Sequence, residues 1–259
     1  MYKKYFLNKN AAFNLAEILL TIAIIGIIAA ITLTKLIHSF NGKVLATQLK
    51  KAYADLNQAS QKFILNNGMS VGEYVFENST SKALTLFSKE FTSVGRTSSL
   101  TWTSVDEEGN SIGAAPYGWK AVKKSSTVEN KSNCDNSGFF WDPIGRVISF
   151  DDPYASSGYN GPKVCIDING EKEPNRYGVD YFIFMFTTDG LVIPWGQEYE
   201  NNPADCSEEN PNINCVISLE NCKYSSTISE QYACAYYALL NKHPNDETKD
   251  YWHDFVNGK

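Results

Sequence analysis

One apolar stretch near the start of the chain limits what the protein can fold into. From Ile18 to Thr34 no side chain ionises, and Glu17 stands immediately before this stretch. With its flanks, the stretch approaches the ~20 residues that an apolar helix needs to cross a bilayer. A charged side chain costs roughly 2.5–3.5 kcal/mol at the centre of a bilayer and less towards its edge. Glu17 therefore needs a specific role or partner.

Charge is divided unevenly around this stretch. Residues 1–12 carry Lys3, Lys4 and Lys9 and no acid, whereas the rest of the chain carries 20 basic and 29 acidic residues, a net charge of −9. Lysines before an apolar span predict that the N-terminus stays inside and that the body lies outside. An acidic body without a basic stripe is a poor generic nucleic-acid binder, because phosphate contacts need clustered Lys and Arg. We therefore expect no nucleic acid as a partner.

Six cysteines follow the apolar stretch. They form no C-x-x-C pair and lack the histidine spacing of a zinc site. This pattern predicts disulfides formed in an oxidising compartment, which agrees with a body outside the cytoplasm. Sequence alone leaves the pairing open, although the four cysteines within 206–234 predict stapled loops there. The disulfide candidates are Cys134, Cys165, Cys206, Cys215, Cys222 and Cys234.

Three interpretations of the apolar stretch compete. A cleavable secretory signal could end at Ile28-Ala29-Ala30, but the hydrophobic run continues through Leu33, and Glu17 is unusual inside such a signal. A plain membrane anchor fits the length and the preceding lysines, but it leaves Glu17 unexplained. The third interpretation accounts for Glu17 and depends on a resemblance.

The segment AAFNLAEILLTIAIIGIIAAITL resembles the class III signal of type IV pilins and the related pseudopilins. The resemblance implies that a prepilin peptidase cleaves after Ala12 on the cytoplasmic face and that Phe13 becomes an N-methylated first residue. Glu17 would then be the fifth residue of the mature protein, where the family also has Glu. The family usually has Gly before the cut, and this chain has Ala12.

The resemblance also implies a noncovalent mechanism of assembly. Cleavage would create an ammonium at Phe13, and Glu17 would neutralise the ammonium of a neighbouring subunit, since an unpaired charge is costly in a low-dielectric surrounding. The implied partners are other pilin subunits, in a homo- or hetero-filament, and the prepilin peptidase. The precursor would lie in the inner membrane with an extracytoplasmic head, and the filament would be periplasmic or on the cell surface.

The resemblance, which sets the boundary after Ala12, and the hydrophobic periodicity beyond it divide the chain into four parts. Residues 1–12 form the basic leader, 13–37 an apolar transmembrane and assembly half-helix, 38–66 an amphipathic half-helix, and 67–259 the extracytoplasmic head. The Asn66-Asn67-Gly68 sequence is typical of a helix end. We expect an α+β, pilin-like fold in which the long helix packs on an antiparallel sheet and disulfides staple the C-terminal region.

Within the head, β-branched and aromatic residues predict strands over 100–105, 139–150, 163–168 and 180–187. A turn at Asp189-Gly190 predicts a hairpin with the apolar residues that follow it. Further along, the sequence Thr227-Ile-Ser-Glu230 predicts a capping box at the start of a helix that runs to about Lys242.

A polar loop between two predicted strands is a candidate calcium site. The stretch CIDINGEKEPNRYGVDYFIF resembles a D-x-N-G…P-N-x-x-G-x-D segment of pilin-like heads, and calcium-stabilised loops occur in the related major pseudopilins. Calcium requires hard oxygen ligands, which this stretch supplies, although it lacks the spacing of an EF-hand. The alternative is a turn followed by a solvated polar loop. The candidate ligands are Asp167, Asn169, Glu171 and Asp180.

Signals of catalysis are weak, and we expect no enzyme. The sequence Gly68-Met-Ser70-Val-Gly72 matches G-x-S-x-G, but a nucleophile elbow needs a strand before the serine, and no strong helix is predicted after it. An extracytoplasmic enzyme stays open as a class, but it would require an activity that is lost on changing Asp180 or Ser70. Two other functions are better supported. The first is a structural subunit of a type IV pilus or pseudopilus. The alternative is a membrane-anchored or secreted surface adhesin that binds glycans through its aromatic residues and does not form a fibre.

Overall fold

The computed structural model describes residues 14–91, 99–101, 118–123, 134, 137–152, 162–187, 189–197 and 219–259. The chain divides into two compact units, Met1–Asn41 and Gly42–Lys259. The described elements are helices α1 (Leu15–Asn67), α2 (Val71–Glu77), α3 (Thr80–Lys89) and α4 (Cys234–Leu240), and strands β1 (Ser99–Thr101), β2 (Phe139–Trp141), β3 (Val147–Asp151), β4 (Lys163–Asp167), β5 (Tyr181–Phe186) and β6 (Val192–Pro194). The protein is therefore an α+β protein with a long N-terminal helix.

Helix α1 confirms the single long helix expected from the sequence. It ends at Asn67, and Gly68 follows with a φ of +77°, the left-handed conformation that ends many helices. In the second unit, α1 buries one row of side chains at steps of three and four, as an amphipathic helix does. The row consists of Leu49, Ala52, Leu56, Ala59 and Phe63.

The six strands form one antiparallel sheet in the order β1-β2-β3-β4-β5-β6, so each strand pairs with its neighbour in sequence. The register of β4 and β5 runs from Lys163 opposite Met185 to Asp167 opposite Tyr181. The antiparallel sheet expected from the sequence is confirmed.

Strand β5 shows why both faces of the sheet are buried. Alternate side chains of a strand point to opposite faces. Phe182, Phe184 and Phe186 join the cluster that contains the buried row of α1, and the ring of Tyr53 stacks on Phe184 with 5.5 Å between centroids. The intervening residues join a second cluster on the other face, together with Trp119, Cys165 and Trp195.

Side chains of α1 form hydrogen bonds with backbone groups at the turn between β5 and β6 and at the start of β6. The N–H of Val192 donates to Asn57 Oδ1 at 3.1 Å, and Ser60 Oγ donates to the carbonyl of Gly190 at 2.8 Å. Gly190 has a φ of +84°, and a Cβ there would lie 2.2 Å from Cδ1 of Ile64. The predicted Asp189-Gly190 hairpin is confirmed, and the helix against which it packs requires the glycine.

The stretch 139–150 is a hairpin rather than one strand. Asp142 Oδ1 accepts the N–H groups of Ile144 and Arg146, both at 3.0 Å, which closes the turn between β2 and β3. Arg146 is 4% exposed and donates from Nε to Asp142 Oδ2 at 2.5 Å and from Nη2 to Asp55 Oδ2 at 2.8 Å. This ion-pair chain fixes the turn against α1.

The C-terminal region differs from its predicted form. Thr227 makes no side-chain capping bond, and Ile228–Gln231 is a 3₁₀ turn, so the predicted capping box is wrong. The α-helix that follows is confirmed but shorter, Cys234–Leu240. Pairing of Cys222 with Cys234 staples this region, as expected.

The other described disulfide joins Cys134 to Cys165 on β4. Cys206 and Cys215 lie outside the described residues.

Candidate functional site

Residues Leu15–Leu33 of α1 form the most distinctive surface of the described chain. Their mean hydropathy is 2.5, and none of these residues is buried. This is the one helix of the described ranges that is long and apolar enough to cross a membrane. Large apolar residues are exposed along its whole length; the exposed fraction is 74% for Leu15, 65% for Ile25 and 57% for Leu33. Such a surface requires lipid or other protein chains to cover it.

Glu17 has a local role at the start of this helix that the sequence analysis did not identify. Its N–H donates to Asn14 Oδ1 at 2.9 Å, and its Oε2 accepts the N–H of Asn14 at 3.0 Å. These reciprocal bonds are a capping box, with Asn14 as the N-cap and Glu17 at the third helical position. The N-x-x-E spacing before an apolar run was the signal that could have predicted it.

The capping box leaves part of the Glu17 carboxylate free to bind another group. Oε2 accepts the capping bond, and Oε1 has no hydrogen-bond partner among the residues that the structure describes. The first turn of a helix also favours negative charge, because its free N–H groups carry the positive end of the helix dipole. Ala12 and Phe13, the predicted cleavage and methylation residues, lie outside the described residues.

Two of the predicted calcium ligands are buried and hold their own loop. Asp167 accepts the indole N–H of Trp119 at 2.7 Å and the backbone N–H of Asn169 at 3.2 Å. Asp180 accepts the backbone N–H groups of Asn175 at 2.8 Å and Arg176 at 2.5 Å. Each carboxylate therefore serves as a hydrogen-bond acceptor that closes the loop between β4 and β5.

Burial raises the pKa of Asp180 to about 7, against the lowering effect of hydrogen bonds from Arg176, Asn175 and Asn169. Of the other two candidate ligands, Glu171 is exposed, and Asn169 Oδ1 is buried with no hydrogen-bond partner among the described residues. Across the described ranges, no group of three His, Cys, Asp or Glu side chains is placed to hold a metal ion. The calcium site stays a prediction.

The G-x-S-x-G stretch has a structural role. Contrary to expectation, helix α2 follows it, and Ser70 is the N-cap of that helix. Ser70 Oγ accepts the N–H of Glu73 at 3.1 Å, and Glu73 Oε2 accepts the N–H of Ser70 at 2.9 Å, so these residues form a second capping box. Ser70 is 3% exposed in this cap.

Three of the five tryptophans pack in the interior. Trp119, Trp195 and Trp252 are 1%, 4% and 7% exposed, and Trp252 donates its indole N–H to the carbonyl of Ala238 at 2.9 Å. These three side chains stabilise the core and do not form a surface on which a sugar ring could stack. Trp102 lies outside the described residues.

No protein-family model, curated protein or solved structure matches this chain. The class that the structure defines is a disulfide-containing α+β protein with an exposed apolar N-terminal helix. Function must therefore be argued from that helix and its capping box.

Proposed function

We propose that this chain is a structural, noncatalytic subunit of a type IV pilus or pilus-like filament. The observation that carries the proposal is the apolar part of α1, Leu15–Leu33, which no described residue covers and which carries Glu17 in its first turn. A membrane would cover this surface in the precursor. Equivalent helices of neighbouring subunits would cover it in the filament.

The apolar helix has a face suited to close packing against its own copies. Two sets of residues recur every seven positions, one of alanines and one of leucine, glycine and leucine. All of these positions are exposed. In an apolar surrounding, helices associate through van der Waals contact, and small side chains let backbones approach closely. The face comprises Ala16, Leu19, Ala23, Gly26, Ala30 and Leu33.

Glu17 would set the register of this packing. After cleavage behind Ala12, the Phe13 ammonium of one subunit would meet the Glu17 carboxylate of another, and the two charges would neutralise each other where few other polar groups exist. The Oε1 atom left over by the capping box is available for this contact. A subunit out of register would leave both charges unpaired.

The second unit supplies the expected extracytoplasmic head. Its disulfides, Cys134–Cys165 and Cys222–Cys234, agree with folding in an oxidising compartment. The lysines of residues 1–12 favour an N-terminus that stays in the cytoplasm, where the prepilin peptidase acts on the precursor. We propose an inner-membrane precursor and a filament on its outer side.

The test is the N-terminus of the protein recovered from cells that contain a prepilin peptidase, determined by peptide mass spectrometry. The expected result is an N-methylated Phe13. An intact Met1, or a start at Ile31, would refute the proposal and make the helix an ordinary anchor or signal. A surface adhesin would then be the better interpretation.

A further inference from the structure

One side of α1 in the second unit is exposed and basic. It lies opposite the buried row Leu49 to Phe63, and all its residues are exposed. Three lysines there, Lys43, Lys50 and Lys62, make no ion pair within the part of the chain that the structure describes. We name this side the basic face. It comprises Lys43, Thr47, Lys50, Ala54, Gln58 and Lys62.

The rest of the second unit has the opposite charge. Residues 42–67 carry four lysines and one acid, Asp55, a net charge of +3, whereas 68–259 carry 15 basic and 27 acidic residues, a net charge of −12. Many described acids of the head are exposed. They include Glu77, Glu171, Glu173, Glu247 and Asp250.

We propose that the basic face of α1 docks against the acidic head surface of a second copy of this chain. One observation selects this occupant, and a second shows that the face permits close contact. The helix and the head carry opposite net charges, so two copies in a staggered arrangement attract each other. The centre of the face has short side chains, Thr47 and Ala54, which let a neighbouring surface approach until the flanking lysines reach its carboxylates.

Direct contact is needed for this attraction to matter. Exposed charges are screened beyond about 8 Å at physiological ionic strength, so lysines that remain in solvent would contribute little. The inference rests on the proposed function, because the filament brings the copies to a fixed stagger. It goes further by naming the surfaces that meet outside the membrane.

Zero-length cross-linking of assembled filaments tests the contact directly. Carbodiimide joins a lysine amine to a carboxylate only where the two touch, and Lys51, which is 2.6 Å from Asp55, supplies an internal positive control. Filaments grown from a mixture of ¹⁴N- and ¹⁵N-labelled chains distinguish bonds between copies from bonds within one. The expected product is a mixed-isotope peptide pair that joins Lys43, Lys50 or Lys62 to an acid of 68–259. The proposal would be overturned if the mixed-isotope peptide pairs contained only lysines other than Lys43, Lys50 and Lys62.

Charge reversal provides the second measurement, in full-length protein expressed with its assembly machinery. Lys43→Glu with Lys50→Glu is expected to lower the yield of sheared filaments about tenfold, since like charges would then face each other. The matched control is Lys172→Glu with Lys242→Glu, which changes the net charge equally at exposed head positions. It is expected to assemble within about twofold of the unchanged chain.

Three results separate the docking inference from the proposed function. Wild-type yield from the helix variant, or equal loss from the control pair, would overturn the docking surface. In either case a loss of filaments caused by Glu17 substitution would leave the proposed function standing. Absence of filaments from the unchanged chain would refute both. Folding of each variant is checked by its intact disulfides on a nonreducing gel.

Discussion

Replacing Glu17 with glutamine separates the charge of this side chain from its hydrogen bond. Glutamine at the third helical position can still accept the N–H of Asn14, so the capping box survives. What disappears is the negative charge that we assign to pairing with a neighbour's Phe13 ammonium. The matched variant is Asn14→Ala, which removes the Asn14 Oδ1 acceptor of the Glu17 N–H but keeps the charge.

The two variants are expected to differ greatly in their effect. Two unit charges about 4 Å apart attract by about 4 kcal/mol at an effective dielectric of ~20, and stranding one of a buried pair costs about 3–5 kcal/mol. At about 1.4 kcal/mol per tenfold, Glu17→Gln should weaken subunit incorporation by a factor of about a thousand. Loss of a capping side chain costs about 1 kcal/mol, a factor of about five, so Asn14→Ala should still assemble.

The assay compares sheared filament with precursor retained in the membrane for each variant. Mass spectrometry of the N-terminus must show the same processing at Phe13 in both, so that a loss of filament is not a loss of cleavage. Equal membrane levels show that insertion is intact. Filament yield from Glu17→Gln that matches the unchanged chain would refute the charge pairing, and an equal loss from Asn14→Ala would assign the role of Glu17 to helix capping instead.

The remaining predictions concern the stability of the head, measured by urea unfolding of the full chain in detergent. Arg146→Met should lower the free energy of unfolding by about 3–5 kcal/mol, because it leaves the buried Asp142 carboxylate without its ion-pair partner. Its control, Lys51→Met, removes a side chain that is 65% exposed and should cost about 1 kcal/mol or less. Replacing Cys222 and Cys234 with serine should lower the free energy of unfolding by about 3 kcal/mol, because the disulfide, which spans 12 residues of sequence, restricts the unfolded chain; an unchanged midpoint would contradict this. Asp180 keeps its proton in the fold up to about pH 7 and loses it near 3.8 when unfolded. Its stabilising contribution is therefore present at acidic pH and lost as pH rises towards 7. Between about pH 5 and pH 8 the free energy of unfolding should fall by about 3 kcal/mol, and Asp180→Asn should abolish this fall. An unchanged pH slope in the variant would contradict the raised pKa.

Much of the fold could be predicted from the sequence because long periodic patterns dominate it. The second-unit part of α1 has a periodic pattern that side-chain burial enforces, and β4 and β5 are short apolar runs that are buried throughout. The stretch 139–150 was wrongly joined because Asp142 forms its turn through side-chain bonds to backbone N–H groups, which a hydrophobic pattern does not reveal. Helices α2 and α3 are short, and their caps at Ser70 and Ser79 are clearer signals than their periodicity.

Only part of the candidate site could be predicted from the sequence. The position of Glu17 before the apolar run was visible, but its bonds to Asn14 were missed because the acid was assigned to pairing between subunits. In the loop between β4 and β5, the sequence marks Asp167 and Asp180 only as candidate calcium ligands. Sequence could not show that Trp119, distant in the chain, would already donate to one of them. Contacts of this kind depend on the whole fold.

The capping bond of Glu17 would favour its proposed ion pair with a neighbouring subunit. A free glutamate loses about 1.5–2 kcal/mol of side-chain entropy when it is fixed in one geometry. The bond from the Asn14 N–H fixes the Glu17 side chain before any neighbour arrives, so the ion pair with a second subunit would form at a smaller entropic cost. A capped glutamate at the first turn is therefore a better partner for an incoming ammonium than a mobile one. The same bond positions Oε1 close to the helix start, where the cleaved terminus of a staggered neighbour would lie.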